Sequence, residues 1–199
     1  MRQIVPGIWT WSVFSKEKGL DFNGHLVAGD HGCVLIDPPA MSGEGRATAD
    51  RLGFPEAVII TNRDHLRDSK SAVERWRCPI MIHEQDGAGI SIGSRPGKSF
   101  VDGDRLPGGL RVVTLTDQKS PGESALWCEA SSAMIIGDAI IGAPAGSIRM
   151  LPAAKFADPE KARAALRRLL DFPFDALLLG DGASLPEGGR RALESFLPA

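Results

Sequence analysis

The sequence predicts two β-sheets packed face to face with helices on both outer faces, a four-layer αββα sandwich of the α/β (α+β) class. Two observations carry this. Strand-like segments come in two runs, each closed by segments of helical periodicity, which suits two sheets that bury their inner faces on each other and their outer faces under helices. Several of these segments are short continuous apolar runs, the pattern of strands covered on both faces. The length of 199 residues sets the scale: it supports one large core and is short for two, so residues 1–199 read as a single domain.

The elements follow in order. Gly7–Phe14 alternates apolar with small or polar residues, as a half-buried strand does. Phe22–Val27 and Cys33–Ile36 are two more strands, joined by Gly29-Asp30-His31-Gly32, which has hairpin-turn composition and makes His31 a turn residue. Asp37-Pro38-Pro39 ends the strand, because proline lacks the ladder donor. A helix is expected over Gly45–Leu52, a buried strand over Pro55–Thr61, a helix over Ser69–Arg77 and a strand over Pro79–His83. The second run comprises Leu110–Leu115, Ser124–Glu129 and Ala133–Ile136. Asp158-Pro159-Glu160 starts a helix, with Asp as cap and Pro in the first turn. Ala162, Ala165, Leu166, Leu169 and Leu170 form its apolar stripe. Ala176–Leu179 is the last strand and Gly188–Phe196 the last helix.

Composition excludes several classes. No apolar stretch reaches the roughly 20 residues of a membrane span. The N-terminus lacks the features of a secretion or transit signal, so the expected compartment is the cytoplasm. Cys33, Cys78 and Cys128 are odd in number and far apart, unlike a disulfide framework or a zinc knot. A net charge of −2 with interspersed signs leaves no footprint for nucleic acid or an anionic membrane. Arg163, Arg167 and Arg168 read as the solvated face of a helix. No P-loop, dinucleotide fingerprint or G-x-S-x-G elbow is present. The partner expected is a small molecule, with homodimerisation left open.

Four segments at strand ends carry the chemistry: Thr61-Asn62-Arg63-Asp64-His65-Leu66-Arg67, Ser120-Pro121-Gly122-Glu123-Ser124, Ile135-Ile136-Gly137-Asp138 and Leu178-Leu179-Gly180-Asp181-Gly182. In this order, together with Gly103-Asp104-Arg105-Leu106, Asn23 and Ile36-Asp37, they resemble the metallo-β-lactamase superfamily over nearly the whole chain. The family's counterparts read T-H-x-H-x-D-H, P-G-H-[ST], a strand ending in G-D and a late strand ending in G-H. The resemblance implies the four-layer fold and a cleft where these loops meet.

The departures from the family decide the chemistry. Residue by residue, the first-metal positions are Asn62, Asp64 and Glu123, with Asp138 as the bridging ligand; the second-metal positions are Leu66, Arg67 and Asp181. No ligand imidazole survives at any of them. Zinc prefers His and Cys, whereas an oxygen-only set suits magnesium, calcium or manganese. Leu66 cannot ligate, and Arg67 stays cationic, so a two-zinc centre is not expected. Arg67 is expected to substitute for the second metal by pairing with Asp138, Asp181 or both. His65 falls one place after a ligand position. It is a candidate general base, or a ligand after a small shift; otherwise it packs on the neighbouring helix or faces solvent. His25 and His83 read as structural, and Trp9, Trp11 and Trp127 as core.

Three functions are compatible with these residues. The first is a divergent hydrolase of esters or phosphoesters, with at most one magnesium, calcium or manganese ion on Asn62, Asp64, Glu123 and Asp138, and His65 or Asp181 as base. The second is a non-catalytic small-ligand or scaffold module that keeps the cleft without metal. The third is an oxidoreductase, since some relatives hold a di-iron centre; the missing histidines weigh against it.

Overall fold

The computed structural model describes residues 1–29, 31–87, 91–92 and 95–197. One sheet has seven strands in the order Arg2–Val5, Ile8–Ser15, Leu20–Ala28, Cys33–Ile36, Pro55–Ile60, Ile80–His83 and Lys98–Phe100. Its first four strands are mutually antiparallel and the rest pair in parallel. The second sheet runs Arg105–Leu106, Leu110–Thr114, Ser124–Cys128, Ala133–Ile136 and Ala176–Leu179, with only the last pair parallel.

The inner faces meet through Val27, Val34, Ile36, Ile59, Leu126 and Leu178, all essentially buried. Outside the first sheet, helices Gly43–Arg51 and Ser69–Trp76 cover Leu35, Val58 and Ile60. Outside the second, Pro159–Ala165 and Gly189–Phe196 cover Met134, Ile136, Leu177 and Leu179. Alternate residues of Val58–Ile60 and Leu177–Leu179 therefore serve two separate cores. That is why these segments read as unbroken apolar runs. The four layers are those the sequence predicts.

Local chemistry sets the ends. Asp158 accepts from the N–H groups of Glu160 and Lys161, capping its helix as expected. That helix is α only to Ala165; the stripe residues Leu166 and Leu169 fall in a 3₁₀ continuation, Leu166–Asp171, and are still fully buried. Ser42 caps Gly43–Arg51, which starts two residues before the expected boundary. Arg2–Val5 is an edge strand that the sequence reading does not assign. Asp30, in the expected hairpin turn, lies outside the described residues. The three cysteines are buried and joined by no disulfide. Trp11 and Trp127 are buried and Trp9 half-buried. His25 is buried and kept neutral, its pKa lowered to about 4 by burial, with Leu179 O beside its Nε2 at 3.3 Å. His83 stacks edge-on against Phe100. Among the described residues no helix is long and apolar enough to cross a membrane.

Candidate functional site

The four chemistry-bearing segments converge at one edge of the sandwich, where strands of both sheets end. Two glycines make the approach possible. A Cβ on Gly137 would lie 2.4 Å from Thr61 Oγ1 and 2.7 Å from Asn62 Nδ2; one on Gly180 would lie 2.8 Å from His65 Cε1. Each glycine lets the acid that follows it, Asp138 or Asp181, come against the loop after Pro55–Ile60. Asp86 braces the same loop against the Ser120–Gly122 turn. It accepts from the N–H of Arg63 and Gly122 and from the Ser120 hydroxyl.

The charged groups form an alternating chain. Asp37 accepts from the Thr61 N–H at 2.8 Å and the Thr61 hydroxyl at 2.6 Å, and faces His65 Nδ1 at 2.8 Å. His65 Nε2 lies 3.2 Å from Asp138 Oδ1. The other oxygen of Asp138 accepts from Lys119 Nζ at 2.6 Å, and Lys119 also reaches Asp64 Oδ2 at 2.7 Å. Beside this chain, Arg67 donates to Asp181 Oδ1 at 2.6 Å. The same guanidinium donates to the carbonyls of Asn23 (2.5 Å), Asp37 (3.1 Å) and Gly180 (3.1 Å) and lies 5.0 Å over the Phe22 ring. It ties the first sheet to the loop leaving the second. Arg67 and Asp37 both have positive φ, 42° and 45°. Such backbone costs on the order of 1 kcal/mol or more for a residue with a side chain, and these bonds hold it in place.

Protonation follows from the neighbours. Burial alone would lower the His65 pKa. The charge of Asp37, opposed by Arg67, and hydrogen bonds to Asp138 and Asp37 raise it instead to about 10. His65 is thus an imidazolium with both N–H groups committed to carboxylates. The 3.4 Å contact between Arg67 Nη2 and His65 Nε2 is then a meeting of two donors, not a bond. The base role expected of His65 does not suit this state, because a general base must be free to accept a proton. Asp138 is held well below the usual carboxylate range: burial would raise it, but the bonds and charges of His65 and Lys119 prevail. Glu123, wholly buried, is pushed well above that range by burial and by the charge of Asp138. Asp181 is also raised by burial, with His65 and Arg67 acting against the shift.

The expected metal set is distributed unevenly. Asp64 and Asp138 both bind Lys119. Asn62 turns its Oδ1 to the Asp64 N–H, capping the short turn Arg63–His65, and its Nδ2 has no partner among the described residues. Glu123 accepts from the Ala139 N–H through Oε1, while Oε2 has no partner among the described residues. Arg67 meets Asp181 and makes no bond to Asp138. Sequence reasoning missed Lys119, although its place in Lys119-Ser120-Pro121-Gly122-Glu123, inside a loop of candidate ligands, was a usable signal. It also missed Asp37 as the anchor of His65. A cavity of about 380 Å³ opens over the site.

The metallo-beta-lactamase superfamily model matches residues 2–198. The chain belongs to the metallo-β-lactamase superfamily. No curated protein matches it at a significant level. Among solved structures it is similar to TTHA1623 in a di-iron-bound form, with 24% identity, 94% of this chain and 98% of that one covered and a TM-score of 0.69. It is also similar to a metallo-β-lactamase from Pontibacter korlensis, with 16% identity, coverage of 96% and 93% and a TM-score of 0.74. The metal-soaked Flv1 flavodiiron core from Synechocystis sp. PCC6803 matches with 14% identity and a TM-score of 0.70, 98% of this chain covering 59% of that one. These likenesses establish the fold.

Members of this superfamily bind divalent metals. Here the group best placed to do so among the described residues is His65, Asp138 and Asp181, whose ligand atoms lie within 4.8 Å of one another. The donor chemistry fits an ion poorly. A metal needs a neutral imidazole, whereas two carboxylates hold the proton on His65. Asp138 is occupied by Lys119 and Asp181 by Arg67, so an ion would displace two short ion pairs and sit against their cations.

Proposed function

We propose that this chain is a metal-independent small-ligand-binding module of the metallo-β-lactamase superfamily, in which protein cations do the electrostatic work of the ions. Lys119 takes the first-metal position and Arg67 the second, with the imidazolium of His65 between them. One observation carries the reading: Lys119 Nζ lies 2.7 and 2.6 Å from Asp64 and Asp138, the acids at the first-metal and bridging positions. A retained carboxylate cluster needs positive charge, since converging buried anions otherwise take up protons. Three tethered cations supply it without an exchangeable ion. They cannot activate a water as a metal does, because none offers an open coordination position and His65 is already protonated.

A second reading keeps a hydrolase with one hard cation, magnesium, calcium or manganese. The unpartnered Oε2 of Glu123 and the His65–Asp138–Asp181 cluster favour it. Metal analysis of protein purified without chelator separates the two. The module predicts well under one divalent ion per chain after dialysis. One tightly held ion per chain, with esterase or phosphoesterase activity lost on chelation, would establish the hydrolase instead.

A further inference from the structure

We propose that the cleft takes a small organic anion, one or two negative charges on an oxyanion head (carboxylate or phosphate monoester) joined to a compact apolar body. The inference rests on the metal-independent reading and names the class of ligand for that same site. The argument is one of pairing. On the floor of the cavity Asp64, Asp138 and Asp181 are each engaged by Lys119, His65 or Arg67, and Asp37 lies behind His65, so every acid of the floor already has a partner. Three further cations line the cavity: Lys18, Arg149 and Lys155. Lys18 pairs with Glu17. Arg149 and Lys155 have no acidic partner among the described residues. Arg149 is oriented by its own loop, donating from Nε to the Ala143 carbonyl at 3.1 Å.

Two cations without acidic partners among the described residues therefore stand at the mouth of the cleft, whose walls focus their field. The floor adds a directional donor. An ammonium has three N–H groups, and Lys119 spends two, on Asp64 and Asp138; the third is left for a ligand oxygen. The remaining wall is apolar, made by Leu20, Phe22, Ile141, Leu151 and Pro152. The cavity volume of about 380 Å³ lies in the range of small-molecule sites, which combine mostly apolar walls with a few converging polar groups. A cationic or neutral ligand of the same shape would leave Arg149 and Lys155 uncompensated.

The segment carrying these cations is tied to the site. Ile141 and Arg149 exchange backbone hydrogen bonds at 2.8 and 3.0 Å, and the Gly142 N–H donates to the Asp181 carbonyl at 3.0 Å. Arg149 is consequently placed by the strand end that carries Asp138 and by the loop that carries Asp181. Sequence gives no hint of it, since Arg149 and Lys155 lie outside the superfamily motifs.

The test is calorimetric titration of dialysed, metal-assayed full-length protein with phenyl phosphate and benzoate, alongside benzyl alcohol and benzylamine. We expect at least one anion to bind with Kd below about 1 mM and the neutral and amine analogues to bind at least about tenfold more weakly. Affinity should fall with added salt. The exposed double substitution Arg149→Gln, Lys155→Gln should weaken the anion about tenfold or more while leaving the unfolding temperature unchanged. Equal binding of the alcohol or amine, an unaltered affinity in the double variant, or no saturable heat with either anion would each overturn the anion assignment. These failures leave the metal-independent reading standing. A stoichiometric ion in the assayed protein would overturn that reading instead.

Discussion

Replacing Arg67 by Ala tests the site where its electrostatics are most concentrated. The substitution removes the 2.6 Å pair with Asp181, whose side chain is 12% exposed, and three donations to backbone carbonyls. Stranding one member of a buried ion pair costs about 3–5 kcal/mol. The carbonyls of Asn23, Asp37 and Gly180 would add to this if left dry, but the vacated volume opens onto the cleft and water can reach them. We therefore expect a loss of about 3–5 kcal/mol, equivalent to roughly 10 °C in unfolding temperature for a chain of this size. Alanine tolerates the positive φ of Arg67 no better than arginine does, so the comparison isolates the side chain.

The pH dependence identifies the cause. Burial raises Asp181 above its ordinary value, and Arg67 acts against that rise. Without Arg67 the folded pKa climbs further. The cost of the substitution is then present in full while Asp181 must be ionised, and shrinks as pH falls toward the unfolded value of about 3.9. Urea unfolding of both proteins from about pH 8 to about pH 5 reads the difference. Adding Asp181→Asn to the Arg67→Ala protein should recover part of the loss, because it removes the stranded charge. A cost under about 1 kcal/mol, or one that neither shrinks with acid nor responds to Asp181→Asn, would show that Arg67 is a packing residue and that its charge is incidental.

Three other outcomes follow from the same geometry. Lys119→Met should free Asp64 and Asp138 for a hard cation, so that millimolar manganese or calcium stabilises the variant by about 1–2 kcal/mol in thermal unfolding and leaves the parent unmoved. His65 has a folded pKa raised from 6.5 to about 10, so its contribution is complete below about pH 6.5 and should fade, by a few kcal/mol, as pH rises toward 10; His65→Gln should abolish that slope. Asp86→Ala should cost about 2–4 kcal/mol in urea unfolding, because it leaves the buried Gly122 N–H and Ser120 hydroxyl, and the part-buried Arg63 N–H, without their acceptor.

The fold was legible because its signals are local. Continuous apolar runs at Pro55–Ile60 and Ala176–Leu179 report strands covered on both faces, and the Asp158-Pro159 cap reports a helix start regardless of what packs on it. What escaped depended on tertiary context. Arg2–Val5 is a strand only because Ile8–Ser15 turns back on it, and the tightening of Leu166–Asp171 into 3₁₀ leaves the apolar stripe unchanged. The glycine–acid pairs Gly137-Asp138 and Gly180-Asp181 were readable as site positions, although the reason for each glycine, a Cβ that would strike Thr61 or His65, appears only in three dimensions.

The partners of the acids were less legible than the acids, and the asymmetry has a physical origin. A carboxylate at a strand end is placed by its backbone, since the side chain is short. A lysine reaches across several ångströms from a loop, so its sequence position says little about where its charge lies. Lys119 is 19 residues from Asp138 and bonds it at 2.6 Å. Asp37 is 28 residues from His65 and sets its protonation. The argument that did transfer from sequence was one of compensation: acids that persist after their histidines are gone require a positive charge from somewhere. Arg67 could be named on that ground because it occupies a ligand position. Lys119 could have been named by asking the same question of Asp64 and Asp138, for which Arg67 alone is one charge too few. The count also explains why His65 is protonated. Asp37, Asp64, Asp138 and Asp181 face only two permanent cations, and a third positive charge on His65 brings this cluster of buried and half-buried charges to within one unit of balance.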